Sequence, residues 1–180
     1  MTEQRPDSTQ HDGGLRLQGR RVTLRPMTRA DVTPAYVGWL NDGERMRYSN
    51  QRFRSHSADT CRAYLEGFAG SGNQFLAICD GDELVGTMTV YRSAVHGTAD
   101  IGLLVGRAGQ GYGRDAWATV LDYLLAQGVR KVTGGTLRCN TAMVRIMQGC
   151  GMEPDGVRRA QELVDGRAED ILYFARFAPC

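Results

Sequence analysis

The chain contains no Cys-x-x-Cys pair and no close Cys/His spacing, although cysteines stand at 61, 79, 139, 150 and 180. An odd, scattered set of this kind excludes a zinc-ribbon site and a disulfide framework. It reads as free thiols in a reducing cytosol, with no metal. No apolar run is long enough to span a bilayer, and the first residues lack the apolar core of a signal peptide, so a cytoplasmic location is expected. Charge of either sign is not in excess. A net charge of +2 excludes a general nucleic-acid coat, so neither nucleic acid nor membrane is an expected partner. Internal repeats and interdomain linkers are also missing. What is there is 180 residues with 42% hydrophobic side chains, enough for one domain with a real core. The start, Met1 to Gly14, is polar; a disordered tail is expected over 1–19 and a folded domain over 20–180.

Periodicity gives the order β-α-α-β-β-β-α-β-α-β-β. Arg21 to Arg25 alternates and stops at Pro26, a short strand. Thr28 to Asp31 resembles a capping box, and Thr33-Pro34 starts a helix that ends near Leu40. Ser57 caps a second helix carrying Cys61, Tyr64, Leu65 and Phe68 on one face. Phe75–Cys79 and Leu84–Tyr91 form a hairpin about Asp80-Gly81-Asp82, and Ala99–Val105 follows. A long helix to about Gln127, a strand over Val129–Leu137, a short helix from Asn140 and a last hairpin turning at Asp165-Gly166 complete the chain. Hairpins in the middle and at the end predict a mixed α/β (α+β) fold: one mostly antiparallel sheet with flanking helices.

The informative stretch is Ala108-Gly109-Gln110-Gly111-Tyr112-Gly113-Arg114, between the apolar run Ile101–Val105 and a helix. Glycines there let amides approach a ligand, and a helix start presents unpaired N–H groups and partial positive charge, a cradle for phosphate. A dinucleotide fingerprint matches locally, as Gly111-x-Gly113-x-x-Ala116. Two features oppose it. Three strands joined by short turns precede the loop, and no Asp or Glu occurs from Ala126 to Met152 to hold a ribose.

The stretch from Arg21 to Phe177 resembles the GNAT superfamily of acetyl-CoA-dependent N-acetyltransferases. The family's Gln/Arg-x-x-Gly-x-Gly/Ala motif falls on Ala108 to Gly113, with Ala108 departing from it. Asn140, with Gly151-Met152 beyond the next helix, matches a second family element. Val22-Thr23-Leu24-Arg25-Pro26 with Trp39-Leu40-Asn41-Asp42 is similar to the branch holding ribosomal-protein N-terminal acetyltransferases and several sugar N-acetyltransferases. The resemblance implies the GNAT fold and acetyl-CoA as cosubstrate. It implies a donor site at Leu103, Leu104, Val105, Gly109, Gln110, Gly111, Tyr112, Gly113, Arg114, Asn140 and Met143. It is compatible with a homodimer.

Acetyl transfer needs a neutral amine and a proton donor for the departing thiolate. The tyrosine that many relatives place seven residues after the Asn is Met147 here, so Tyr173 is the substitute to examine, against ordinary sheet packing. Asp100 and His96 are the candidate bases, each also readable as a strand-end or turn residue. At pH 7.4 only about one lysine-type amine in a thousand is neutral, costing about 4 kcal/mol, whereas an α-amino group costs under about 1 kcal/mol. With no evident strong base, a low-pKa amine is the expected acceptor. The family places its acceptor loop around Arg45 to Arg54. Here Arg47, Arg52, Arg54 and His56 are candidate acceptor contacts, suited to a nucleotide-linked amino sugar; a solvated basic loop is the alternative. The leading expectation is acetylation of a small-molecule amine. Protein N-terminal acetylation and a non-catalytic acyl-CoA-binding module are the alternatives.

Overall fold

The computed structural model describes residues 14–179. Eight strands form a single sheet: β1 (Leu17–Gln18), β2 (Thr23–Pro26), β3 (Gln74–Asp80), β4 (Glu83–Ser93), β5 (Thr98–Val105), β6 (Lys131–Leu137), β7 (Glu153–Val164) and β8 (Arg167–Phe177). Four helices pack on it: α1 (Pro34–Asn41), α2 (Ala58–Glu66), α3 (Tyr112–Ala126) and α4 (Thr141–Gly149). The strand order is β1-β2-β3-β4-β5-β6-β8-β7, and every pair is antiparallel except β5–β6. The expected architecture is therefore observed, with one addition. Leu17 and Gln18, assigned above to the tail, pair with Leu24 and Thr23, so the fold begins before residue 20. Residues 1–13 of that tail lie outside the described residues.

Local chemistry sets the boundaries. Thr33 Oγ1 accepts the Tyr36 N–H ahead of Pro34, and Ser57 Oγ accepts the Thr60 N–H at the start of α2. At the predicted box, Asp31 accepts the N–H and hydroxyl of Thr28 and both guanidinium arms of Arg25, the latter at 2.7 Å. Burial alone would raise the Asp31 pKa, but the Arg25 and Thr28 hydrogen bonds outweigh it and hold the carboxyl below the ordinary aspartate range.

Both faces of β3 are covered, so it reads as a continuous apolar run. Leu76 and Ile78 point to the α3/α4 side, and Phe75, Ala77 and Cys79 to the α1/α2 side. The α3 stripe Trp117, Val120, Leu121 and Leu124 is buried against the sheet, each side chain contributing about 1.5–3 kcal/mol by leaving water.

The helix α3 connects β5 to β6, the sheet's only parallel pair among the described residues. That pair holds over three rungs, Thr98–Lys131 to Asp100–Thr133, and then opens. Past the opening, β5 pairs only with β4 and β6 only with β8. Glycines stand where the strands part. A Cβ on Gly134 would lie 2.8 Å from the Trp117 ring, and one on Gly135 would lie 3.0 Å from the Tyr173 ring.

Candidate active site

The open end of the β5–β6 gap meets the glycine loop. Gly109 and Gly111 have φ of 82° and 78°, the left-handed region that glycine enters without cost. A Cβ at either position would meet nothing within 4 Å, so both face open space. Gly111 is the N-cap of α3, and the first intrahelical bond runs from Asp115 N–H to Gly111 O. The N–H groups of Tyr112, Gly113 and Arg114 therefore precede the ladder and are available to an anion. Side chains brace the loop from behind. The Tyr112 hydroxyl donates to Asp80 Oδ2 at 2.5 Å, Arg21 donates to Gln110 O at 2.9 Å, and Arg114 donates to Gly149 O at 3.2 Å. Gly113 is wedged against Val105, Leu103 and Ile146, leaving no room for a side chain.

The gap also exposes main chain. The Gly106 N–H donates to Val85 O on β4, and Leu104 O lies 2.5 Å from where a Gly86 Cβ would stand, so even-numbered residues of β5 turn their N–H and C=O to β4. Main-chain groups alternate sides along a strand. Those of Leu103 and Val105 consequently face the gap with no strand partner, while Ala99 O, on the same side, accepts from Thr133 Oγ1 at 3.3 Å. Of the three residues expected to offer main chain to the donor, Leu104 is tied to β4. Its side chain instead faces a cleft under α1 and α2.

That cleft, about 440 Å³, runs from Gly102 and Leu103 at the gap to Tyr36, Tyr64, Arg54 and His56. It is within the range typical of small-ligand sites, about 300–1,000 Å³. Thr87 and Thr89 form its floor on β4, and Tyr64 forms a wall, its hydroxyl 2.8 Å from that of Tyr91. The tyrosine belonged, in the sequence, to the apolar face of α2. Thr87 and Thr89 carry a signal in the sequence itself, two hydroxyls alternating along a strand whose opposite face is apolar.

Asp100 lies on the same sheet face as Gly102, at the last paired rung before the gap, and accepts from Thr133 Oγ1 at 2.7 Å. Desolvation by the crowded rung raises its pKa above the ordinary aspartate value, with the Thr133 hydrogen bond opposing, although the residue keeps solvent access. Tyr173 shares this face. Its ring packs on Gly135 and under the Arg158 guanidinium, 5.2 Å from the ring centroid, which accords with sheet packing.

Other expected contacts are placed elsewhere. His96 is in the β4–β5 turn, at the end of β5 opposite the glycine loop, its carbonyl accepting from Arg130 at 2.7 Å. The Asn140 side chain is consumed locally: Oδ1 caps Met143 N–H at 3.3 Å and Nδ2 donates to Thr136 at 3.1 Å. Met143 packs partly into the core. Met147 is fully buried, so no side chain at that position reaches the gap without repacking. Arg47 pairs with Asp165 at 2.5 Å, and Arg52 donates to Ser49 O and Leu163 O near Glu162. These two arginines tie the β7–β8 hairpin to the loop. Arg54 and His56 do line the cleft, the His56 Nε2 standing 3.3 Å from Gln51 O.

Among the described residues no cluster of His, Cys, Asp and Glu has metal-site geometry, and no helix is long and apolar enough to cross a membrane. No curated protein sequence matches the chain. Solved structures do. A GNAT-family acetyltransferase from Bacillus anthracis superposes with a TM-score of 0.77 at 18% identity, over 91% of this chain and 99% of that one. A ribosomal L7/L12 alpha-N-protein acetyltransferase in complex with coenzyme A gives 0.80 at 15% identity, over 91% and 98%. Spermidine N-acetyltransferase from Vibrio cholerae, in complex with CoA and spermine, gives 0.77 at 19% identity, over 88% and 96%. At such identities these likenesses carry the fold alone. The acetyltransferase (GNAT) domain profile, however, matches residues 21–153, most of the chain. Parted parallel strands leading into a glycine-capped helix thus have a family: the chain belongs to the GNAT acetyltransferases and is an N-acetyltransferase whose acyl donor is acetyl-CoA.

Proposed function

We propose that this enzyme transfers an acetyl group to the primary amine of a small molecule, of which an amino sugar or its nucleotide-linked derivative is the leading candidate. The observation that carries this reading is the half-open cleft, which meets the same gap as the unpaired main chain of Leu103 and Val105. Protein N-terminal acetylation is the second reading.

The donor supplies the reactive thioester, and the chain's residues fit its other parts. Open space at Gly109 and Gly111, beside the first-turn amides of α3, suits a diphosphate. The gap-facing N–H groups of Leu103 and Val105 suit an extended amide-bearing arm, and one of them can donate to the thioester oxygen as charge develops there. Asn140 contributes by fixing the start of α4 beside the gap. The acceptor amine enters along the face of Thr87, Thr89 and Gly102 and attacks directly; Cys61, which lines the cleft, has its thiol pKa pushed up by burial and is a poor nucleophile. Asp100 is the group on this face suited to take the amine proton, through water. Its role predicts a pH dependence. Activity rises with pH as Asp100 ionises, at a value above the ordinary aspartate range.

Stability moves the other way. A carboxyl whose folded-state pKa is raised binds its proton more tightly when folded, so that contribution is present below the unfolded value and is lost as pH rises through the folded one. Asp100→Asn should therefore lose the acidic limb of the kcat profile and be no less stable than the parent at pH 7. An unaltered acidic limb in the variant would remove Asp100 from the proton path.

Met147→Tyr is expected to give no gain in kcat. It should also cost about 1–3 kcal/mol in denaturant unfolding, because the site is filled by Trp117 and Gly134. A more active, equally stable variant would show that the phenol does reach the thiolate.

Thiol release from acetyl-CoA, measured against amino sugars, nucleotide-linked amino sugars, polyamines and peptides with free N-termini, tests the function. Turnover of peptides alone would sink the small-molecule reading. Tight donor binding with no turnover of any amine would leave a binding module.

A further inference from the structure

We infer that the acceptor carries an oxyanion as well as its amine, and that Arg54 reads it; this rests on the small-molecule reading above. The acceptor loop holds four arginines, and three are already neutralised within the protein. Arg45 is 3.6 Å from Asp42, Arg47 pairs with Asp165, and Arg52 lies near Glu162. Arg54 alone has no carboxylate in ion-pair range among the described residues, and it is the one that lines the cleft. Among the described residues no Asp or Glu lines that cleft. Asp100, on the same sheet face, is bonded to Thr133 and stands outside it.

A cleft lined by one unpaired guanidinium, and by no carboxylate among the described residues, has a definite selectivity. A polyamine would bring a second and third cation toward Arg54 with nothing to balance them. An amine bearing a phosphate or carboxylate would instead supply the anion that Arg54 lacks, in the forked geometry a guanidinium favours. The hydroxyl-bearing Thr87, Thr89 and Tyr64, which line the same cleft as Arg54, suit a hydroxyl-rich body joining the anion to the amine. The ligand class is therefore an anionic amine of about monosaccharide size, with phosphate and carboxylate as the two sources of charge.

Steady-state kinetics on the intact chain test this with four acceptors: glucosamine, glucosamine 6-phosphate, muramic acid as the carboxylate form, and spermidine. The expected result is a lower KM for at least one anionic sugar than for glucosamine, and spermidine as the poorest acceptor. Arg54→Gln should raise the KM of that anionic acceptor about 10–100-fold, the worth of a hydrogen bond to a charged group, and bring its selectivity over glucosamine toward unity. Arg54→Glu should reverse the order and favour spermidine, with the KM for acetyl-CoA as the control for an intact donor site. Equal turnover of glucosamine and its anionic forms, or an Arg54→Gln variant that retains their ratio, overturns the anion proposal alone. Turnover of peptides but of none of the four overturns the small-molecule reading, and this proposal with it.

Discussion

Gly111→Asp is expected to abolish acetyl-CoA binding while leaving the fold intact. Gly111 caps α3 with φ of 78°, and a Cβ there meets no atom within 4 Å. Aspartate tolerates this backbone region better than most residues, at a cost of about 1–2 kcal/mol. The new carboxylate has room, but the room is where the proposed diphosphate lies. It would hydrogen-bond the free first-turn amides and set a negative charge against the phosphates. Two charges about 4 Å apart near a protein surface repel by about 4 kcal/mol, close to a thousandfold in affinity. Isothermal titration with acetyl-CoA should show no measurable heat, while circular dichroism and the unfolding transition stay near the parent's. Gly111→Ala separates the contributions: it brings the backbone strain without the charge and should weaken binding far less. Undiminished affinity in the Asp variant, with the fold intact, would exclude the loop from the donor site.

Asp115→Ala should produce the largest loss of stability among single changes near the site. Asp115 lies in the first turn of α3, where a carboxylate also suits the helix dipole. Its oxygens accept three main-chain N–H groups from the β1–β2 turn: Arg20 at 3.0 Å, Arg21 at 2.7 Å and Val22 at 3.1 Å. This one side chain ties the start of the folded chain to the helix that begins the glycine loop, and it sets Arg21 against Gln110 O. Water can replace part of what is lost, so the cost should be about 1.5–3 kcal/mol rather than the sum of three charged hydrogen bonds. For a chain of this size that is a drop of roughly 5–10 °C in Tm. The KM for acetyl-CoA should rise several-fold as Arg21 is released. Asp115→Asn, which retains one acceptor oxygen, should fall between the two. An unchanged Tm in the alanine variant would show that the turn is held by strand pairing alone.

Both expectations concern the donor half of the site, and that half was the more legible in the sequence. Glycines at 109, 111 and 113 between an apolar strand and an amphipathic helix specify the proposed phosphate cradle through local geometry, because positive φ and unpaired helix amides are properties of a few consecutive residues. Caps are local too, and Thr33, Ser57 and Asn140 stand where the sequence put them. That locality also shows at Asn140, whose Oδ1 accepts the Met143 N–H in the N-terminal turn of α4.

The acceptor half depends on pairing between distant segments. Arg47, Arg52 and Arg54 are indistinguishable as letters in a basic loop. Only the β7–β8 hairpin, more than a hundred residues away, pairs two of them and leaves the third lining the cleft. Likewise, hydrophobic alternation predicts that β5 is a strand but not that it parts from β6 after three rungs, nor which of its residues turn their main chain into the gap. The sequence by itself determined the element order, the sheet class and the glycine turn at the start of α3, because periodicity, capping and glycine φ are short-range. Tertiary structure alone decided which main-chain edge is open, which arginine is unpaired and that Met147 is core, because each of these depends on which surfaces far apart in the chain exclude water from one another.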